Sequence, residues 1–154
     1  MQNELKTVVG YAFKSVHRED GWIHPLCDVV DVTEEQANWR PAPEVASIAE
    51  VVAHLEPYMS DVVQVLRGEE KVDHEDWGGT QGQSWSALKA RLLNTTAELE
   101  AEIGKLSEED LATPAPGKAT PRWEILMDIA IHNAYHAGQI VKLTQEAPAL
   151  AASK

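Results

Sequence analysis

A chain of 154 residues, 44% hydrophobic and 25% charged, is long enough to bury about two-thirds of its unfolded surface, which argues for one globular domain over 1–154. Its formal charge of −12 excludes a partner recognised through its phosphate backbone and disfavours anionic membranes, since both require clustered Lys and Arg and only 13 are scattered here. The single cysteine, Cys27, excludes an internal disulfide and fits a reducing, cytoplasmic setting; a small buried hydrophobe is its expected role.

The start, MQNELKTVVG, lacks the basic and apolar regions of a signal peptide, and no run reaches membrane-spanning length. From Asn3 to about Arg18, Leu5, Val8, Val9, Ala12, Phe13 and Val16 recur at helical spacing. Gly21 interrupts this helix, and Pro25 suits a helix start or kink within the short apolar segment Trp22 to Val32. Thr33 to Pro43 reads as a connector, with a possible cap, acidic residues and two prolines.

Ser47 and Glu50 form a capping box for a second long helix, whose apolar stripe runs from Ile48 to Leu66 and which Gly68 ends. Pro57 removes the bond to the carbonyl of Ala53, so a bend is expected one turn beyond His54, either shaping a cavity or tolerated without function. Glu69 to Gln83 is polar, contains glycines and lacks a period; bundle connections usually take about 2 to 8 residues, so this one predicts a crossover with parallel helices on either side.

Ser84 opens a third long helix to about Leu106, SEEDL predicts a short helical turn, and TPAPGKATP is a connector. Pro121 starts the last helix, whose apolar groups cover most of its circumference and predict the most buried helix; the tail APALAASK is expected to fray. With no strand-like alternation, the fold class is all-α, and a four-helix bundle is the expected architecture.

His132 and His136 lie one turn apart, so both imidazoles can converge on one ion. His54 sits beside the apolar stripe of the second helix. It lies 13 residues before Arg67, while position 134 lies 12 beyond Arg122, so the heights match if these helices are antiparallel. A parallel arrangement leaves a mismatch of roughly 7 Å. Glu50 and Asp128 each precede a histidine by four residues and are candidates to orient it; the alternatives are that Glu50 only caps its helix and Asp128 is solvated.

Three neutral imidazoles leave a coordination position open, as in catalytic metal sites. HExxH is absent because Asn133 follows His132, so metalloprotease chemistry is not supported. His17, His24 and His74 could add a ligand but are expected at the surface; Tyr58 and Tyr135 could donate a proton near the site but are read as amphipathic packing. Trp77 and Trp85 flank the crossover as a lid, a subunit contact or anchors of the loop. Ala134, Ala137, Gly138 and Val141 form a small-residue strip that allows a close helix neighbour.

WRPAP followed by SIAEVVAHL, together with PRWEILMDIAIHNAYHAGQIVKL and its HxxxHxGQI signature, resembles the DinB/YfiT-like family of metal-dependent enzymes over nearly the whole chain. The resemblance implies an up-down-down-up four-helix bundle, often homodimeric, with His54, His132 and His136 as a metal triad for zinc or nickel. It implies activation of water or a low-molecular-weight thiol for transfer or hydrolysis of a small-molecule substrate. A non-catalytic, stress-associated bundle binding a metal or small ligand is the alternative.

Overall fold

Local capping chemistry marks where the elements begin. In a computed structural model, which describes residues 4–19, 21–69 and 74–148, every regular element is a helix. They are α1 (Glu4–His17), α2 (Leu26–Val29), α3 (Glu34–Asn38), α4 (Ile48–Arg67), α5 (Trp85–Lys105), α6 (Glu108–Ala112) and α7 (Arg122–Glu146). Among the described residues, the isolated bridge between Pro114 and Pro121 is the strand-like contact.

At α4, Ser47 Oγ accepts from the Glu50 amide and the Glu50 carboxylate accepts from the Ser47 amide, closing the expected box at 3.3 and 2.9 Å. Thr33 and Gln36 make the same reciprocal pair, so the segment expected as a connector contains α3. Local capping there outweighs the prolines, which lie beyond Asn38. Gly68 ends α4 at φ 75°, a conformation that costs other residues about 1 kcal/mol or more. At the start of α1, Glu108 of α6 accepts from the amides of Leu5 and Lys6 at 2.7 and 3.0 Å, supplying a cap from a distant part of the chain.

The most buried helix is α4 rather than α7: twelve of its 20 residues are buried, against eight of 25 in α7. Its Val52, Leu55 and Met59 belong to a core shared with Leu92 and Leu99 of α5 and Ile140 of α7. In contrast, α7 exposes Ile131 and Tyr135, so its broad apolar pattern includes an outward face. No helix of the described residues is long and apolar enough to cross a membrane.

Polar contacts fix the directions of the long helices. Glu56 meets Arg91 and Thr95, and Arg67 meets Glu98 and Glu102, so α4 and α5 run the same way. His54 faces His132, while Val65 shares a cleft with Ile125 and Val51 lines a cavity with Leu143, so α4 and α7 run oppositely. Trp85 is buried and donates to the carbonyl of Val32 at 3.0 Å, anchoring the far end of the crossover.

One further expectation changes. His17 is fully buried, not at the surface, because the end of α1 packs on α7: its Nδ1 donates to the carbonyl of Phe13 and its Nε2 accepts from Asn133. The small-residue strip of α7, Ala134, Ala137, Gly138 and Val141, lines a 190 Å³ cavity together with Ile23 and His24. Ala53 and Pro57 line a separate 460 Å³ polar cavity beneath the crossover. Residues 149–154 of the tail expected to fray lie outside the described residues.

Candidate metal centre

The spacing of His132 and His136 becomes a site because α4 carries His54 past them. The three side chains present one nitrogen each within 4.8 Å of one another, and the Nε2 atoms of His54 and His132 are 3.1 Å apart. Two imidazole nitrogens on a tetrahedral ion, at 2.0 to 2.1 Å from it, lie about 3.3 Å apart. The observed pair therefore fits a shared cation. His54 and His136 are buried and His132 is half-buried, so the cluster is open to one side.

Two carbonyl oxygens select the ring tautomers. The backbone carbonyl of Asp76 accepts from His54 Nδ1 at 2.7 Å, and Gln139 Oε1 accepts from His136 Nδ1 at 2.6 Å. A carbonyl only accepts, so each Nδ1 carries the proton and each Nε2 keeps its lone pair for the centre of the cluster. Gln139 is held by a 3.2 Å bond from its Nε2 to Tyr135 Oη, which fixes the amide orientation. Burial pushes His136 down to about 4 and also lowers His132, favouring the neutral ligating form.

Neither carboxylate that was a candidate to orient a histidine does so. Glu50 is committed to the Ser47 cap and to Arg40, so it is a capping residue. Asp128 is exposed, and His132 Nδ1 has no hydrogen-bond partner among the described residues. Their i, i+4 spacing puts them on the right helical face without turning their carboxylates toward the rings. Gln139, three residues after His136, carried a readable spacing signal; Asp76, whose backbone carbonyl lies 2.7 Å and whose carboxylate 3.3 Å from His54 Nδ1, carried none.

The crossover covers the cluster. Trp77 stacks flat on His54 at a centroid distance of 4.0 Å and an interplanar angle of 3°, and meets His136 edge-on at 5.9 Å. Of the two tryptophans that flank this segment, Trp77 therefore covers the site and Trp85 anchors the loop. Tyr58 donates to Asp76 Oδ1 at 2.7 Å, and its ring packs against His132 at 5.2 Å. Tyr135 is exposed and reaches the site through Gln139.

His74 is half-buried and contacts Asp61 at 3.1 Å, whereas His24 is exposed; neither joins the cluster. Cys27 is half-buried, and burial raises its thiol pKa, away from a reactive thiolate.

A cleft of 590 Å³ opens on His54 and His132 between α4 and α7. Val62, Val65, Ile125 and Ile129 supply apolar walls, with Lys118 and Asp128 among its charged groups. A divalent ion held by the histidines would thus have one protein-covered side and one side accessible from a small-molecule cleft.

No significant match was found among curated proteins or solved structures. The sequence model of the DinB superfamily matches residues 27–140, a span that includes all three histidines and the crossover. The chain belongs to the DinB superfamily.

Proposed function

We propose that this protein is a divalent-metal-dependent enzyme in which His54, His132 and His136 hold zinc or nickel, and which transfers or hydrolyses a small substrate using water or a low-molecular-weight thiol. The carrying observation is the pair of carbonyl acceptors on His54 Nδ1 and His136 Nδ1, which leaves both Nε2 lone pairs directed into one cluster. A bound divalent ion would lower the pKa of a coordinated water or thiol. Trp77 shields one side of the histidines, and the Tyr58 hydroxyl donates to the Asp76 carboxylate at the cleft wall.

The directions of α4, α5 and α7 support an up-down-down-up four-helix bundle. Exposed Val8 and Tyr11 on α1, with Ile131 and Tyr135 on α7, support a homodimer. Metal analysis of protein purified without an affinity tag should find a stoichiometric ion that His54→Ala loses. Full retention in that variant overturns the triad. Thiol-dependent turnover lost in all three histidine variants supports the enzyme; stoichiometric metal without turnover across a panel of thiols and electrophiles favours the non-catalytic bundle.

A further inference from the structure

Two of the cluster histidines have an oxygen on Nδ1, the Asp76 carbonyl for His54 and the Gln139 amide for His136, whereas His132 Nδ1 has no partner among the described residues. A neutral histidine that turns the Nε2 lone pair on a cation carries its proton on Nδ1. Leaving that N–H buried without an acceptor works against the ligating tautomer. The orientation of the third ligand is thus the one still unaccounted for.

The next residue carries a matching atom. Asn133 is fully buried, and its Oδ1 also lacks a partner. The orientation of this amide follows from His17 on α1, whose ring is stacked on Phe13 at a centroid distance of 4.4 Å. The Phe13 carbonyl only accepts, so His17 Nδ1 bears the ring proton, and burial keeps the ring neutral by lowering its pKa to about 4. Its Nε2 is therefore a lone pair, and the Asn133 atom 2.9 Å away must be the NH2 group, which puts Oδ1 on the other branch of the amide. One buried acceptor and one buried donor stand unpaired on consecutive residues of α7. Burial and His54 lower the His132 pKa, and the Asn133 side chain opposes them, as an oxygen close to a ring N–H does.

We propose that Asn133 is the positioning residue of His132: Oδ1 accepts from His132 Nδ1–H when Nε2 faces the ion, and His17 holds the amide in that orientation. The inference rests on the proposed metal-holding role of the three histidines. Each ligand then has its own oxygen on Nδ1, from the crossover for His54, from Gln139 for His136 and from Asn133 for His132. Through His17, α1 bears on the site although it supplies no ligand.

Zinc-loaded protein with nitrogen-15-labelled histidine tests this inference by NMR, with zinc affinity measured by chelator competition. The wild type should show downfield, hydrogen-bonded Nδ1–H protons for all three ligands, a result that depends on no variant folding. Asn133→Ala should lose the His132 signal, keep those of His54 and His136, and bind zinc about 10- to 100-fold more weakly. Asn133→Asp restores an oxygen for His132 and pairs with protonated His17, so the third signal and most of the affinity should return. His17→Leu breaks the same buried bond as Asn133→Ala but leaves the amide oxygen in place, so it should cost less zinc affinity; an equal loss would assign the effect to stability alone and overturn the inference. A wild type with downfield signals from His54 and His136 only, or an Asn133→Ala variant with all three, overturns it and leaves the triad intact. No zinc bound by the wild type overturns the triad itself.

Discussion

Acidification should expose the cost of burying a neutral His17. This residue is 0% exposed, and burial lowers its pKa from 6.5 to about 4. Nδ1 donates to the carbonyl of Phe13 while Nε2 accepts from Asn133, so both ring nitrogens are satisfied in the neutral form. Between those pKa values the unfolded state binds the proton more strongly. Stability is therefore fully present above about pH 6.5 and is lost as pH falls toward about 4, for a total of about 3 kcal/mol at 1.36 kcal/mol per unit.

Urea unfolding of metal-free protein between neutral pH and pH 4 should show this loss, and His17→Gln should remove it while keeping polar groups near Phe13 and Asn133. Because His132 and His136 are also lowered, the relevant quantity is the difference between the wild-type and variant curves. Parallel curves over the whole range would refute the burial argument.

Replacing Gln139 by Leu should weaken metal binding by about 10- to 100-fold in a chelator competition, because His136 loses the acceptor that sets its tautomer. Asp76→Ala should cost less than Gln139→Leu, since His54 Nδ1 keeps its 2.7 Å bond to the backbone carbonyl of residue 76 and loses only the carboxylate at 3.3 Å; a larger loss would show that the side chain carries the effect. Of the five tryptophans, Trp77 stacks directly on His54, so nickel should quench its fluorescence and Trp77→Phe should abolish most of that metal-dependent change. Glu56→Ala should cost about 2 kcal/mol in chemical denaturation: it removes a buried carboxylate partner from Arg91 and Thr95, but half-exposed Arg91 can regain water.

The sequence was most legible where one residue's position dictated another's. Ser47 and Glu50 marked a helix start because capping works over three residues, and His132 and His136 marked a shared face because a helix repeats every 3.6 residues. Matching heights also brought His54 to the pair correctly. The carboxylates show the limit of that logic: Glu50 has the same four-residue offset from His54 that Asp128 has from His132, yet neither reaches its ring. His17 was misplaced because burial at a helix end depends on which element packs over it, and Asn133 approaches from 116 residues away.

The crossover links topology to site chemistry. With α4 and α5 running the same way, the chain must return along the bundle between Gly68 and Ser84 before α5 begins. That return brings the Asp76 carbonyl to His54 Nδ1 and lays Trp77 over the ring. A tight hairpin would place the next helix antiparallel and supply neither contact by this route. Because the shorter of the two contacts to His54 Nδ1, 2.7 Å against 3.3 Å to the Asp76 carboxylate, comes from backbone, it depends on the path of the segment more than on the side chain at position 76. The two histidines on α7 are fixed by helical repeat, whereas the third owes its tautomer to a loop whose course follows from the direction of the helices it joins.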